Sequence, residues 1–240
     1  MPSNTMSDPK FDRLLEDVGC RLRFLHEIGV EDVPAARRVT EKSSPRRAGD
    51  PAAASRLGSV NDEILTCRKC GLAEGRTHAV PGEGDAAAEL MFVGEGPGRD
   101  EDSQGRPFVG RAGQLLTKII AAMTFERSRV FITNIVKCRP PENRVPQRGE
   151  VESCTPYLLR QVEIIRPRVI VSLGKTATDF FVPDATGGMT AIRGKFYDWN
   201  GTRIMPTFHP SYLVRNEGNR EIKRMVWDDM RQVMALLGRT

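Results

Sequence analysis

Four cysteines have the spacing of a metal site. Cys67 and Cys70 form a CxxC pair, and Cys138 and Cys154 follow far downstream. Thiolates at such spacing bind zinc or an iron–sulfur cluster, and the same residues could instead form two disulfides. One metal site on all four cysteines would tie the segment around residue 70 to the middle of the chain. The fifth cysteine, Cys20, lies in an apolar helical pattern, and we interpret it as a packing residue.

Composition favours a metal site over disulfides. The chain has 240 residues, 39% of them hydrophobic, which is enough for one sizeable core. No apolar run is long enough to cross a bilayer, and the start lacks the pattern of a secretory signal, so we expect a cytoplasmic protein without membrane association. The cytoplasm keeps cysteines reduced, which argues against disulfides. The net charge of +5 suits a polyanionic partner.

A glycine-rich acidic loop, GEGPGRDEDSQGRPFVG, covers residues 94–110. Its glycines let backbone N–H groups approach a ligand closely, and its carboxylates include Glu95 and Glu101. The glycine spacing matches neither GxGxxG nor a P-loop, so the loop does not predict a nucleotide-binding turn.

Two other polar residues stand at the ends of predicted strands. Asn134 ends an ITN run, and its amide is both donor and acceptor, which suits the reading of a planar base edge. Capping of a turn is the alternative role for this residue. His209 begins the HPSYL segment and could act as an electrophile, a metal ligand or a general acid, with a purely structural role as the alternative.

Strands and helices alternate around these residues. We predict strands at residues 89–94, 129–136, 168–173 and 203–207. Residues 193–199 and 203–207 flank Asn200-Gly201, which indicates a hairpin, and helices are predicted at 114–123, about 149–165, after 174 and at 220–237. This order predicts an α/β fold, a three-layer α/β/α sandwich with a mainly parallel central four-stranded sheet. Ligands gather at the carboxyl ends of such strands. Chemistry is therefore expected after the first, second and fourth strands, at residues 94–110, 134–143 and 208–215.

The beginning of the chain has a different character. Residues 11–30 have apolar spacing near the helical period, and residues 34–59 are rich in Ala, Arg, Ser and Pro without sustained periodicity. We therefore divide the chain into residues 1–58, an N-terminal helix with a flexible linker, and residues 59–240, one globular domain.

From about residue 59 to the end, these motifs resemble family 4 of the uracil-DNA glycosylase superfamily, the iron–sulfur branch. GEGPG, GRPFVG, TNIVKCRPP, the late Cys154 and HPSYL follow one another in the same order. The resemblance implies base excision repair by a monofunctional enzyme that hydrolyses the N-glycosidic bond of uracil in DNA and leaves an abasic site. It also implies a structural [4Fe–4S] cluster on Cys67, Cys70, Cys138 and Cys154.

The resemblance further implies how uracil is held. Phe108 would stack on a flipped-out base and Asn134 would read its polar edge, while Glu95 and Gly96 would contact the base near O2. His209 would stabilise the negative charge on the departing uracil.

The group that activates water is left open by the resemblance. Other branches of the superfamily carry Asp or Asn where this chain has Gly96. We therefore take Glu95 first and Glu101 second as the candidate groups.

DNA is the expected partner, as single or double strands that contain uracil. The resemblance implies that Ser211, Tyr212, Leu213 and Arg215 press on DNA, with Tyr212 or Leu213 as a wedge. Three basic residues flank Cys138 and are expected to meet phosphates: Lys137, Arg139 and Arg144. We expect a monomer, with downstream repair enzymes or a replication clamp as candidate further partners.

Two other functions compete with this hypothesis. One is a non-catalytic DNA-binding protein on the same fold, and the other is a glycosylase that prefers another deaminated base, such as hypoxanthine. The presence of Phe108, Asn134 and His209 together favours catalysis over simple binding.

Overall fold

The computed structural model describes residues 51–239 and, among the first fifty, Val18, Gly19, Leu22, Arg23 and His26. These five residues are helical. The rest of the predicted helix at residues 11–30, including Cys20, and the predicted linker up to residue 50 lie outside the described residues.

A six-stranded sheet organises the described domain. Its order is β1-β3-β2-β4-β6-β5. The strands are β1 (Glu83–Gly84), β2 (Leu90–Gly94), β3 (Phe131–Asn134), β4 (Val169–Leu173), β5 (Tyr197–Trp199) and β6 (Thr202–Thr207). The four central strands are parallel, and β1 and β5 pair antiparallel at the edges.

The prediction of an α/β fold with a mainly parallel sheet is confirmed. The predicted number of four strands describes only the parallel centre and is wrong for the whole sheet. The first edge strand, β1, has only two residues, which is too short to produce a readable alternation of apolar and polar residues.

Two apolar cores lie on the two faces of this sheet. Along β2, Leu90 and Phe92 pack into one core, whereas Met91 and Val93 pack into the other. Successive side chains of a strand point to opposite faces, so a strand covered on both sides is apolar throughout. The helices cover both faces, which gives the predicted three layers.

The helices, in chain order, are α1 (Pro51–Thr66), α2 (Leu72–Gly75), α3 (Arg99–Gln104), α4 (Arg111–Ala122), α5 (Arg148–Ile165), α6 (Lys175–Phe181), α7 (Met189–Ile192), α8 (Pro210–Arg215) and α9 (Arg220–Leu236). Short 3₁₀ turns cover Arg127–Arg129 and Pro141–Asn143. Within the described ranges, none of the helices has the length and apolarity needed to cross a membrane.

Helix α1 corrects the predicted linker. Residues 51–58 are helical, so the predicted boundary at residue 58 falls inside a helix. Leu57, Val60 and Ile64 are buried, and Glu63 pairs with Arg160 of α5. The first turn consists mostly of Ala, so its apolar pattern is weak in the sequence. Packing of the buried face against the rest of the domain stabilises this helix.

Lys137 is buried behind the end of β3, and the prediction that it meets DNA phosphates is wrong. Only 1% of its surface is exposed. Its ammonium donates to Thr133 Oγ1 at 2.6 Å, to the Asn134 carbonyl at 2.8 Å and to Gln161 Oε1 at 2.8 Å. Burial lowers the pKa of Lys137 to about 7. The side chain joins β3 to α5 instead of facing solvent.

Replacing Lys137 with Met should destabilise the fold strongly. The substitution leaves three buried acceptors without their donor, and we expect the free energy of unfolding to fall by about 2 to 5 kcal/mol. Urea denaturation measures this change. Lys175→Met is the matched control, because Lys175 is exposed and pairs with Asp179 one helical turn away, and it should change stability by less than about 0.5 kcal/mol. Equal effects of the two substitutions would contradict the assigned network.

Candidate active site

The ends of β2 and β3 approach so closely that only glycine fits at position 94. Gly94 pairs with Asn134 in the sheet. A Cβ atom at Gly94 would lie 2.5 Å from Asn134 Oδ1 and 2.6 Å from Phe108 Cζ. These distances are far below van der Waals contact, so glycine lets the amide and the ring meet above the strand ends.

The side chain of Asn134 has an unpaired acceptor. The residue is 1% exposed, and within the described structure its Oδ1 accepts no hydrogen bond. A buried acceptor without a partner is costly, and such atoms are rare in folded proteins. The Oδ1 atom therefore has the properties of a group that receives a donor from a ligand, and it caps no turn.

Phe108 has a strained backbone that its neighbours hold in place. Its φ of 51° lies in the left-handed region, which bulky residues rarely adopt. On one side, Arg127 Nη2 donates to the Pro107 carbonyl at 2.6 Å. A Cβ at Gly113 would lie 1.9 Å from the Phe108 carbonyl oxygen, so α4 also packs directly on this peptide.

Glu101 holds the other side of Phe108. Its Oε1 accepts the N–H groups of Val109 at 2.9 Å and Gly110 at 3.0 Å, and its Oε2 accepts the N–H of Gly98 at 3.1 Å. Both carboxylate oxygens thus bind backbone donors within the loop. This geometry favours a bracing role for Glu101 over the predicted activation of water.

His209 lies across from Phe108 and is held in one tautomer. The two ring centroids are 5.7 Å apart. His209 Nδ1 accepts the N–H of Ser211 at 3.1 Å, so the proton of the neutral ring is on Nε2. Burial and, secondarily, the positive charge of Arg215 lower the pKa of His209 to about 4. At neutral pH the ring therefore offers an uncharged N–H donor.

Comparison with known proteins assigns the family. A family model described as the uracil DNA glycosylase superfamily matches residues 81–231, which contain all the residues of this pocket. The chain belongs to the uracil-DNA glycosylase superfamily. The predicted resemblance is confirmed.

Several relatives within the superfamily are similar along most of their length. A type-4 uracil-DNA glycosylase of Thermotoga maritima is 47% identical over 179 residues, which cover 74% of this chain and 93% of the relative. The type-4 enzyme of Sulfurisphaera tokodaii is 47% identical over 174 residues, 69% of this chain and 79% of the relative. That of Saccharolobus solfataricus is 46% identical over 189 residues, 75% and 86% of the two chains.

This member of the superfamily has a fourth loop at its pocket, which the sequence analysis missed. The loop follows β4, where Thr176 donates its hydroxyl hydrogen to the Glu95 carboxylate. A Cβ at Gly174, whose φ is 85°, would lie 3.0 Å from His209 Cβ. The signal was present in the sequence, because Gly174 ends a predicted parallel strand just as Gly94 does.

The predicted DNA-contacting residues after His209 divide into buried and exposed ones. Leu213 is 3% exposed and packs in the core with Phe92, so the prediction of Leu213 as a wedge is wrong in this structure. Tyr212 is 38% exposed. Arg215 is also exposed, and it donates to Ser211 Oγ at 3.3 Å. The helical turn buries every third or fourth residue, which the segment HPSYL alone does not reveal.

The loop after Cys138 is closed by its own polar contacts. Arg144 forms a two-pronged ion pair with Glu150 at 2.6 and 2.9 Å, and Arg139 donates to Asn143 Oδ1 at 2.8 Å. Both arginines are partly exposed. Their contact with phosphates stays a prediction.

The contact of Gly96 with a base also stays a prediction. A Cβ at Gly96 would lie 2.8 Å from Val136 Cγ2, so glycine lets the loop after β2 lie against the segment after β3.

The four cysteines line one pocket between α1, α5 and the segment after β3. All four are free thiols: Cys67, Cys70, Cys138 and Cys154. The described residues contain no group of three or more side chains preformed for a single metal ion.

Two N–H donors point at sulfur atoms of this pocket. The backbone N–H of Lys137 lies 3.3 Å from Cys154 Sγ, and the Arg76 guanidinium lies 3.1 Å from Cys138 Sγ. Burial raises the pKa of Cys138, and it raises the pKa of Cys154 to about 11. Bound cations favour the thiolate and oppose this effect of burial.

Replacing Glu101 with Ala should loosen the loop that carries Phe108. Three backbone N–H groups lose a charged acceptor, and we expect the free energy of unfolding to fall by about 2 to 4 kcal/mol. Amide hydrogen exchange of Val109 and Gly110 should accelerate in the same variant. Glu142→Ala is the control, because Glu142 is exposed and should leave both amides protected. Unchanged exchange in Glu101→Ala would contradict the bracing role.

Proposed function

We propose that the protein is a monofunctional DNA glycosylase that hydrolyses the bond between uracil and deoxyribose in DNA and leaves an abasic site. The observation that carries this proposal is the buried, unpaired Oδ1 of Asn134, which meets the ring of Phe108 above Gly94. The polar edge of uracil presents an N3–H donor beside the O4 acceptor. The amide of Asn134 offers the matching acceptor and donor.

The pocket also suits a base that has left the duplex. A glycosylase flips its target nucleotide into a cavity that stacks and hydrogen-bonds the base. Glu101 and Arg127 hold the backbone on either side of Phe108 before any ligand arrives, so stacking needs little rearrangement of the loop. Family membership and the type-4 relatives support uracil as the base.

His209 is the group that would stabilise the leaving base. As the C1′–N1 bond breaks, its electron pair moves to uracil, and negative charge accumulates at O2. The neutral ring of His209 donates from Nε2, since Nδ1 accepts the N–H of Ser211. A donor fixed before the reaction stabilises developing charge without a reorganisation cost.

Glu95 is the carboxylate that would receive a proton from water. The sugar acquires oxocarbenium character, the oxygen of water bonds to C1′, and one water proton passes to the carboxylate. Glu95 is partly exposed and follows Gly94 directly. Unlike Glu101, it binds only one hydroxyl donor among the described residues, which leaves an oxygen free for water.

The four cysteines fit a [4Fe–4S] cluster, which we propose as the cofactor. The donor set is right, because four free thiols line one pocket and two N–H donors point at their sulfurs. A bound cluster with four thiolate ligands would act structurally and tie α1 and α5 to the segment after β3. The cytoplasmic location, the monomeric state, and downstream repair enzymes or a replication clamp as partners stay predictions.

Replacing Asn134 with Ala should reduce uracil excision. Loss of the buried contact to the base edge should cost about 2 to 4 kcal/mol, or about 30- to 1000-fold in the single-turnover rate. Abasic-site formation on uracil-containing oligonucleotides measures the rate. Asn143→Ala is the control, because Asn143 is exposed and its side chain accepts a hydrogen bond from Arg139. Absence of abasic sites with every uracil context would favour a DNA-binding protein, and faster release of hypoxanthine would favour the other glycosylase.

Protein purified without oxygen should contain about four iron atoms per chain and absorb broadly near about 400 nm. Cys154→Ser should lower both the iron content and the stability, because it removes one of the four proposed ligands. Cys20→Ser should change neither property. Stoichiometric zinc without iron would contradict the proposed cofactor and leave the proposed reaction standing.

A further inference from the structure

We infer that Thr176 is a positioning residue for the reaction, whose hydroxyl fixes the Glu95 carboxylate in the orientation that receives the water proton. The inference rests on the proposed function and on the role of Glu95 in it. Thr176 lies in the first turn of α6 and donates its hydroxyl hydrogen to Glu95 Oε2. The two residues are 81 positions apart in the chain, so only the fold brings them together.

Within the described part of the chain, Thr176 is the only hydrogen-bond donor to this carboxylate. Among residues 51–239, no cation forms an ion pair with Glu95, and no other hydrogen bond to its side-chain oxygens is present. Glu101, in contrast, receives three backbone N–H groups in the same loop. Without Thr176, the carboxylate of Glu95 would be free to rotate about its side-chain bonds. A misdirected proton acceptor loses most of its catalytic value.

The helix that carries Thr176 is firmly anchored. Two residues further along, Thr178 Oγ1 lies 2.9 Å from Ser172 Oγ of β4, and both residues are fully buried. Gly174, just before the helix, donates its N–H to the Thr207 carbonyl at 2.9 Å. A hydroxyl on this turn therefore has a defined position, which a donor on a loose loop would lack.

The same turn contacts the other catalytic loop. Because β4 lies between β2 and β6, the segment after β4 is adjacent to both the Glu95 loop and the His209 loop. Gly174 packs against His209, and Thr176 binds Glu95. The turn thus sets the distance between the group that stabilises the leaving base and the group that receives the water proton.

Thr176 takes no part in the proton transfer from water to Glu95. Water loses one proton to the free oxygen of Glu95 as its own oxygen bonds to C1′, and the electron pair of the broken bond leaves with uracil. Thr176 keeps its hydroxyl proton throughout and holds the other carboxylate oxygen. It touches neither water nor substrate, which makes it a positioning residue.

Single-turnover uracil excision by Thr176→Val tests this inference. Valine has the same shape without the donor, and we expect the rate to fall by about 10- to 100-fold. Affinity for DNA that contains a non-hydrolysable 2′-fluoro-deoxyuridine should stay unchanged, since Thr176 does not contact the base. Thr176→Ser restores the hydroxyl and should recover the rate to within about threefold. Asp179→Asn, which alters an exposed side chain of the same helix that pairs with Lys175 and not with Glu95, should leave the rate unchanged.

The variant Glu95→Ala separates this inference from the proposed function. If Thr176 acts through Glu95, Thr176→Val should have no further effect on the rate in the Glu95→Ala background. A wild-type rate for Thr176→Val beside a slow Glu95→Ala would overturn the inference alone. An equal loss from Thr176→Val with and without Glu95 would also overturn it. A wild-type rate for Glu95→Ala would overturn the assignment of Glu95 and the inference with it, whereas no uracil release by the unmodified protein would overturn the proposed function.

Discussion

The buried ammonium group of Lys137 links the end of β3 to helix α5, beside the cysteine pocket. Lys137 has to satisfy its three N–H donors inside the fold, and it does so with Thr133, the Asn134 carbonyl and Gln161. Those acceptors belong to the end of β3 and to α5. The backbone N–H of the same lysine points at Cys154. Because an unpaired buried ammonium is very costly, the strand end, α5 and the cysteine pocket keep one mutual arrangement.

The pocket built on this arrangement is held in shape by contacts within the protein. Phe108 retains a backbone conformation that costs energy by itself, because Arg127 and Glu101 bind the peptide groups on either side of it. The Oδ1 of Asn134 stays buried without a partner. Both features are unfavourable in isolation and are common where a fold has been arranged around a ligand rather than for maximal stability.

Most polar groups of the pocket are already engaged in hydrogen bonds, so few remain available for chemistry. The ring of His209 is neutral because burial lowers its pKa, and its Nδ1 is occupied by a backbone donor. The carboxylate of Glu101 is fully used within its own loop. Glu95 is left with a single hydroxyl donor from Thr176. A glycosylase needs a donor for the leaving base and an acceptor for a water proton, and these are the roles proposed for His209 and Glu95.

The sequence by itself determined the α/β class, the parallel central strands and three of the four loops at the pocket, because periodicity, glycine spacing and residue type are local properties. It did not determine which way neighbouring side chains point. Lys137 and Leu213 are buried because other segments of the chain pack against them. Glu101 braces its own loop because the loop folds back onto its carboxylate. The contact between Thr176 and Glu95 spans 81 positions. Only the tertiary structure decides such contacts, since burial and partnership depend on surfaces that no short motif contains.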